Sequence, residues 1–247
     1  MIPLKSEKDL ELLRASGKIL ARIMPKLRQV LKAGISTREI DEIAAELIKK
    51  ENAQPAFKGY NGYPANICTS INEEIVHGIP SGRVLEEGDI ISLDIGINYQ
   101  GYFTDAAITQ GIGIIDSRKQ KLIDVTKKAL AEGIKKVKPG NCLSDISYAV
   151  QNYVESYGFS VVREFVGHGI GKSLHEEPEI PNFGLPHRGP RIKSGMVFAI
   201  EPMVNAGTWR SKFLDNQWTA VTADNLPSAH FEHTIAVTDK GPEILTL

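Results

Sequence analysis

Four carboxylates in this chain stand where they could hold divalent metal ions. Asp94 and Glu201 each close an apolar, β-branched run typical of a buried strand, and Asp105 and Glu232 lie in two further runs of the same kind. Carboxylates that meet in a core repel one another and stay charged only at high cost, so such a cluster is typical of a divalent-metal site. Oxygen-rich ligands completed by a nitrogen suit manganese, iron, cobalt or zinc in a paired site better than a structural zinc.

The nitrogen ligand that best completes this set is His168. It follows the strand-like segment VVREFV and lies in GHGIG, where flanking glycines let backbone and substrate approach closely. Two other interpretations of this stretch fail. A phosphate-binding loop needs a glycine five positions before Gly171, where Val166 stands, and a zinc-protease helix needs a second histidine where Glu179 stands.

The remaining histidines are ordinary residues by type alone. His77 and His175 lie in segments marked by glycine or proline, and both could border a cleft. His187 is interpreted as an exposed loop residue. His233 follows a ligand candidate directly on a strand, so the two-residue period of a strand predicts that it points to the opposite face.

The helical segments that must position these residues occur twice in the chain. Gly34 falls on Gly140, and in both copies a helix end runs into that glycine. Ser36 or Ser144 then precedes a helix with apolar residues at 3.6-residue spacing. The matching helical segments are residues 7–32 with 117–138 and residues 31–47 with 137–153.

The strand-like segments repeat as well. Asp94 falls on Glu201 and Asp105 falls on Glu232. Acids that fall on acids across separate segments at a nearly constant offset are not expected from chance apolar patterning. We therefore expect a single domain, 1–247, of two pseudo-symmetric α/β halves, each supplying two carboxylates to one place. The halves are predicted at approximately residues 7–110 and 117–240.

The amino-acid composition indicates which cellular compartment and which kinds of partner are expected. The 247 residues carry 29 Lys and Arg against 30 Asp and Glu, so no global field recruits nucleic acid or an anionic membrane. Cys68 and Cys142 match no metal-ligand spacing and suit a reducing compartment. Neither a signal peptide nor a run of 18 apolar residues is present, which makes a cytoplasmic protein the default expectation.

At this point the sequence resembles the methionine aminopeptidases over almost its whole length. The segments that carry the resemblance are GYNGYPANICTSINEEIVHGIP, LDIG, GYFTDAAIT, FVGHGIGKSLHEEP, FAIEPM and HFEHTIAVT. The resemblance implies the α+β "pita-bread" fold, in which two pseudo-symmetric α/β halves form a curved antiparallel sheet with helices outside it. It also implies removal of the initiator methionine from nascent polypeptide N-termini when the second residue is small.

The resemblance also implies a role for each ligand candidate. Asp94 would bind one metal ion, His168 and Glu201 the other, and Asp105 and Glu232 would bridge the two. The two divalent ions could be cobalt, manganese, iron, zinc or nickel, and a water or hydroxide between them would be the nucleophile.

Three residues would then act on the substrate itself. Glu201 would also move the proton, His175 would stabilise the oxyanion, and His77 would touch the amide beyond the scissile bond.

The methionine pocket is known only through the resemblance. It would be lined by Tyr60, Tyr63, Cys68, Leu174 and Trp218, with Phe57 at its edge. From the residues alone, the two tyrosines would be loop or core aromatics. The sequence departs from the family pattern at Leu174, often an aromatic, at Phe57, often smaller, and at His230, usually a glutamine. A monovalent cation near Asn72 and Ser228 is implied by the same analogy.

Two rival functions remain at this stage. One is a pita-bread hydrolase that cuts before proline, but those relatives usually carry an extra N-terminal domain. The other is a metal-free binding module on the same fold, which has lost ligands that are all present here.

The chain is short, like a bacterial or organellar type I enzyme, and is expected to be a monomer. Contact with the ribosome is plausible, although the basic cluster Lys135, Lys136 and Lys138 is better interpreted as a solvated helix end.

Overall fold

The computed structural model describes residues 2–247, and over that range the chain is α+β, as the sequence predicts. Met1, which the single-domain prediction includes, lies outside the described residues. The helices are α1 Glu7–Val30, α2 Thr37–Lys50, α3 Ser117–Ile134 and α4 Ser144–Ser156, and Tyr60–Gly62 form one 3-10 turn.

The strands are short except for the central hairpin. They are β1 Gln54–Pro55, β2 Cys68–Ile71, β3 Glu74–Val76, β4 Ile90–Tyr99, β5 Tyr102–Gly111, β6 Ser160–Val161, β7 Gly167–Gly169, β8 Glu176–Ile180, β9 Val197–Ile200, β10 Met203–Asn205, β11 Ser211–Phe213, β12 Ala220–Thr222, β13 Ser228–His230, β14 Glu232–Thr238 and β15 Gly241–Ile244.

One antiparallel sheet of nine strands forms the centre of the molecule. Its order is β1-β4-β5-β14-β9-β7-β8, with β2 paired to β4 and β15 paired to β14. The hairpin β4–β5 from the first half of the chain therefore pairs with the β14–β9 pair from the second half. Two smaller sheets, β13-β10-β6 and β11-β12-β3, flank it.

Serine caps explain where the first two helices begin. The side chains of Ser6 and Ser36 accept hydrogen bonds from the backbone of Asp9 and Glu39, whose carboxylates in turn accept from the cap N–H. The expectation for Ser144 is wrong in detail, because this serine is the first residue of α4 and not its cap. Its hydroxyl instead accepts the N–H of a later loop residue at 2.7 Å.

Each pair of helices covers its own part of the sheet. The apolar faces of α1 and α2 pack with β4 in one buried cluster, which includes Leu20, Ile40 and Ile95. The faces of α3 and α4 pack with β9 and β14 in a second cluster, which includes Val150 and Phe198. The core thus lies between helices and sheet, and the opposite face of the sheet is left for a site. Within residues 2–247, none of the helices has both the length and the apolar character needed to cross a bilayer.

Matched glycines support the internal repeat in structural terms. Gly34 and Gly140 have φ values of 94° and 91°, and Gly88 and Gly195 have φ values of 91° and 87°. Each of the four donates its N–H to a backbone carbonyl at 2.9–3.0 Å. Positive φ is accessible to glycine at little cost, so the same turn is built with the same residue at equivalent points of the two halves.

Candidate metal centre

Strand register places three of the candidate ligands on one face of the sheet. Asp94 on β4 and Glu232 on β14 both lie directly opposite Ala107 on β5. Residues opposite each other on neighbouring strands share a face, and so do residues two apart on one strand. Asp105 therefore points to the same side as Asp94 and Glu232. The expectation that Asp94 ends its strand is wrong, since β4 continues to Tyr99.

The same face continues across the second half of the sheet. His233 on β14 lies opposite Ile200 on β9. In the antiparallel register the next residues, Glu232 and Glu201, therefore lie beside each other. His168 on β7 lies opposite Ala199, two residues before Glu201. Alternation along each strand therefore turns His168 toward the four carboxylates. His233 points to the opposite face, as expected, where its Nδ1 is 2.9 Å from the hydroxyl of a threonine near the C-terminus.

The ligand atoms of this group lie close together. One nitrogen or oxygen from each of Asp105, His168 and Glu232 lies within 4.8 Å of the others. His168 Nε2 is 3.4 Å from Glu201 Oε1. The Nδ1–H of the same ring donates to the carbonyl of Gly169 at 2.8 Å, which leaves Nε2 as the free ligand atom.

The electrostatics show that these acids do not stay charged together without compensation. Burial raises the pKa of Asp94, Glu201 and Glu232 well above the usual carboxyl range, and neighbouring carboxylates raise each further. Burial also raises the pKa of Asp105 to about 7. For His168, burial lowers the pKa to about 3, so its ring is neutral, which is the form that binds metal.

Buried atoms without partners indicate what this donor set is built to hold. Among residues 2–247, Asp94 Oδ1 and Glu232 Oε1 are buried and have no hydrogen-bond partner. Such atoms are rare in proteins unless an ion or water completes them. A divalent cation would neutralise the acids and satisfy these oxygens, so the residues fit a divalent-metal site.

His230, one of the three residues that depart from the family pattern, lies against this centre. Its side chain is buried, and Nε2 is 3.9 Å from Glu201 Oε2 with no closer hydrogen-bond partner in the described chain. Burial lowers the pKa of His230 to about 3. A neutral imidazole therefore lies beside the Glu201 carboxylate.

A cavity of about 310 Å³ lies over the carboxylates. It brings together every residue that the resemblance assigned to metal, catalysis or substrate: Phe57, Tyr60, Tyr63, Cys68, His77, Asp94, Asp105, His168, Leu174, His175, Glu201, Trp218 and Glu232. Its walls also include six residues that sequence reasoning missed: Asn61, Val76, Glu164, Phe165, Val166 and Met203. Most of these adjoin a named site residue within three positions, which is the signal that could have found them.

The two cleft histidines are held differently. His77 follows β3 at φ 60° and packs edge-on against Phe165, with ring centroids 5.4 Å apart. His175 precedes β8, and its Nδ1 is 2.7 Å from the hydroxyl of Tyr60. The His175 ring also lies against that of His168, with centroids 4.1 Å apart. His187, in contrast, is exposed, as expected.

The two residues named for a monovalent cation lie next to each other. The N–H of Ser228 donates to the carbonyl of Asn72 at 2.8 Å. The amide of Asn72 donates to Asp89 at 2.7 Å, and its carbonyl oxygen accepts the N–H of Ile90 at 3.1 Å. A cation at this point stays a prediction.

Comparison with known proteins places this centre in a family. Metallopeptidase family M24 matches residues 11–239. A methionine aminopeptidase of Bacillus subtilis is 53% identical over 100% of this chain and 99% of its own length. A methionine aminopeptidase of Clostridium acetobutylicum is also 53% identical, with the same coverage of both chains. Members of a metallopeptidase family use divalent metal, which agrees with the donor set described above.

Solved structures confirm the pita-bread fold. The methionine aminopeptidase of Thermotoga maritima matches with a TM-score of 0.98 at 46% identity, over 100% of this chain and 99% of the other. A prolidase from Pyrococcus furiosus matches with a TM-score of 0.78 at 22% identity, over 99% of this chain and 65% of that one, which shows the shared fold alone. By full-length identity, fold and the group of metal-binding side chains, the chain belongs to metallopeptidase family M24 and, within it, to the methionine aminopeptidases.

Proposed function

We propose that this chain removes the initiator methionine from nascent polypeptides whose second residue is small, using two divalent metal ions. The observation that carries the proposal is the convergence of four carboxylates, two of them buried and two half-buried, and one neutral histidine on the floor of a cavity with mostly apolar walls. An apolar pocket above a charged floor is suited to a substrate with an apolar first side chain and a polar bond beneath it.

Five side chains would hold the two ions. Asp94 would bind one ion, His168 and Glu201 the other, and Asp105 and Glu232 would bridge them. When bound, divalent cations lower the pKa of water and polarise a carbonyl. Cobalt, manganese, iron, zinc and nickel all suit this set of oxygen and nitrogen ligands.

Three side chains would act directly on the substrate. Glu201 would take up a proton at a carboxylate oxygen and pass it to the departing amine. His175 would donate its Nε2–H to the oxygen of the tetrahedral intermediate, because the other ring nitrogen is engaged by Tyr60. His77 would contact the amide beyond the scissile bond.

The walls of the cavity suit a methionine side chain. Tyr63 lies edge-on to Trp218, with ring centroids 5.1 Å apart, and Phe57 lies edge-on to Tyr63 at 6.5 Å. Cys68 and Leu174 complete the apolar wall and are almost fully buried. A thioether gains about 0.3 to 1.5 kcal/mol from each contact with an aromatic ring, which favours methionine over a leucine of similar size.

The restriction to small second residues would arise at the mouth of the cavity. His77 packs against both Phe165 and Trp218, with ring centroids at 5.4 and 6.4 Å. These three rings form a rigid wall next to the position proposed for the second residue. A long side chain there would have to displace an aromatic ring, which is costly in a packed wall.

A panel of short peptides tests the activity. Protein loaded with cobalt or manganese should hydrolyse Met-Ala-Ser and Met-Gly-Met-Met and spare Met-Lys and Met-Leu peptides. The Glu201→Gln variant should lower turnover by about 10² or more, the size expected for loss of a proton-transferring group. Equal turnover of peptides that begin with leucine or carry proline in second place would contradict the proposal.

Titration calorimetry tests the number of ions independently of activity. We expect two manganese ions per wild-type chain and one per chain of Asp94→Ala, because Asp94 is proposed to bind the first ion alone, whereas the second ion keeps His168 and Glu201. Asp124→Ala, which removes an exposed carboxylate from α3, serves as the matched control. A single ion in the wild type, or two in the Asp94 variant, would overturn the assignment of ligands.

The setting of the reaction is part of the proposal. Nascent chains are made in the cytoplasm, so we propose a cytoplasmic monomer that acts on polypeptides as they emerge from the ribosome. A dedicated ribosome surface at the end of α3 is not favoured, because Lys135 of the basic cluster already pairs with Glu132 at 2.7 Å. Co-sedimentation with ribosomes of the wild type and of Lys136→Glu would test this, and a loss of binding in the variant would contradict it.

A further inference from the structure

Resting on the proposed function, we propose that Tyr60 is a positioning residue for His175. Its hydroxyl holds the imidazole in the tautomer and orientation that present Nε2–H to the cleft. Tyr60 would then contribute to turnover through His175, in addition to lining the methionine pocket. The two residues are 115 positions apart in sequence, so no local pattern indicates this contact.

The geometry of the contact supports a specific hydrogen bond. The Tyr60 hydroxyl oxygen lies 2.7 Å from His175 Nδ1, and the two ring centroids are 5.1 Å apart at an angle of 45°. A neutral imidazole carries one N–H, and the bond made by one ring nitrogen decides where that hydrogen sits. A hydroxyl that donates to Nδ1 leaves the hydrogen on Nε2, the nitrogen needed as a donor.

The backbone around Tyr60 keeps the hydroxyl in place. The N–H of Tyr60 donates to the carbonyl of Phe57 and the N–H of Tyr63 to the carbonyl of Tyr60, both at 2.9 Å. The flanking Gly59 and Gly62 have φ values of 84° and 87°, which only glycine adopts freely. The turn is therefore closed on both sides of Tyr60, which fixes the backbone that carries the ring.

A second tyrosine in the same wall provides the comparison that separates the two roles. The Tyr63 hydroxyl donates to the carbonyls of Ile67 and Gly78 at 3.1 and 3.0 Å, and its ring is 4% exposed. Tyr60, at 37% exposed, is much less buried and its hydroxyl faces a catalytic side chain. Loss of the Tyr63 hydroxyl should therefore affect the pocket or stability, whereas loss of the Tyr60 hydroxyl should affect turnover.

Kinetics of Tyr60→Phe on Met-Ala-Ser, with Tyr63→Phe as the matched control, test the proposal. Tyr60→Phe should lower kcat about five- to tenfold with little change in KM, the size expected for one hydrogen bond between neutral groups. In the His175→Ala background the same change should have little further effect, because the residue through which it acts is gone. A rise in KM alone, or an equal loss of kcat in both backgrounds, would overturn the proposal.

A spectroscopic measurement keeps this test separate from the proposed function. In zinc-loaded protein with ¹⁵N-labelled histidine, the His175 signals should report the Nε2–H tautomer in the wild type and in Tyr63→Phe. In Tyr60→Phe they should shift toward a mixture of tautomers. An unchanged tautomer in Tyr60→Phe would overturn the positioning role. Absence of peptide hydrolysis in the wild type would instead overturn the proposed function and leave the tautomer comparison standing.

Discussion

Ala107 lies at the centre of the candidate metal centre without being a ligand. It faces Asp94 on one side and Glu232 on the other, and it is almost fully buried. Asp105, two residues earlier, shares its face of the sheet. Three carboxylates therefore border the space above one methyl group, and the size of residue 107 limits the room in which cations can sit.

Enlarging Ala107 should weaken metal binding while leaving the fold intact. Ala107→Val adds two methyl groups at this point, and overpacking of a filled site costs about 1–3 kcal/mol. We expect manganese affinity to fall by about tenfold or more. Titration calorimetry measures the affinity, and urea unfolding of the metal-free protein checks the fold. Ala107→Ser, which adds only a hydroxyl, should stay close to the wild type, and unchanged affinity in Ala107→Val would contradict the argument.

The candidate ligands could be named from the sequence because each acid has a counterpart in the other half. The pairing of Asp94 with Glu201 and of Asp105 with Glu232 needs only the alignment of the chain with itself. The cavity walls could not be predicted in this way. Only their nearness in sequence to His168 and Glu201 points to Phe165 and Met203, and the contact of Tyr60 with His175 joins two loops that carry no shared pattern.

At the scale of elements, the segment that carries His175 is bound to the N-terminal segment through Glu176 and Lys5. Glu176 accepts the N–H groups of Lys172 and Ser173 at 2.7 and 3.2 Å through one oxygen. Its other oxygen pairs with Lys5, and both side chains are largely buried. The loop between them presents a pocket residue and His175 to the cavity. This ion pair could not be predicted from sequence, since its two residues are 171 positions apart.

Removing Lys5 should lower both the free energy of unfolding and the rate of peptide hydrolysis. Lys5→Met leaves the Glu176 charge buried without its partner, and breaking a buried pair in this way costs about 3 kcal/mol. Urea unfolding should show the loss, and kcat on Met-Ala-Ser should fall. The double variant Lys5→Met/Glu176→Gln should recover part of the stability, whereas Lys8→Met on the exposed face of α1 should change neither quantity. Wild-type stability of Lys5→Met would show that the pair does not hold the loop.

Asp9, in the first turn of α1, is hydrogen-bonded to Ser6 and to Tyr102 on β5, and it gives a pH dependence of known sign. The hydroxyls of Ser6 and Tyr102 donate to its carboxylate and hold its pKa well below the usual range. A carboxyl with a lowered folded-state pKa stabilises the fold above its unfolded pKa, and this contribution is lost as the pH falls toward the folded-state value.

The unfolding free energy should therefore separate the wild type from Asp9→Asn only at higher pH. The wild type should be the more stable of the two above about pH 4, near the ordinary pKa of an aspartate. Below that pH the difference should shrink as the carboxylate takes up a proton. Urea unfolding between pH 6 and pH 3 measures it, with Asp215→Asn in an exposed turn as the control. A difference that stays constant over this range would rule out the carboxylate charge as its cause.

Helix starts show where local sequence reasoning succeeds and where it fails. Ser36 precedes α2 as expected, because its hydroxyl and the carboxylate of Glu39 satisfy the end of the helix within one turn. The equivalent Ser144 is drawn instead toward the loop at Arg188. A cap depends only on residues within one turn and is predictable, whereas a competing partner 44 residues away is not.

At the scale of the whole molecule, we propose that the chain is one domain built from two halves, residues 7–110 and 117–240. The matched glycines and the paired helices support this division. The halves share the sheet at the contact of β5 with β14, so neither has a complete sheet by itself. The repeat made the general architecture predictable from sequence. The strand order and the small flanking sheets depend on long-range pairing and were not predicted.

Unfolding of the metal-free protein should be a single transition. Both tryptophans, Trp209 and Trp218, lie in the second half, whereas circular dichroism reports helices of both halves. Because the halves share one sheet, the two signals should change at the same urea concentration. Two separated transitions would mean that the halves fold independently and would contradict the single-domain proposal.

The division of the candidate ligand carboxylates between the two halves has a consequence for the stability of the folded protein as well as for its chemistry. Asp94 and Asp105 come from the first half, and Glu201 and Glu232 from the second, so each bound ion would have ligands from both halves and would hold them together. A ligand that binds only the folded state raises its stability by about 2.7 kcal/mol at 100 times the dissociation constant. A low free metal concentration in a cell would therefore lower the amount of folded protein together with its activity. The melting temperature of the protein would rise with the free metal concentration and would report it.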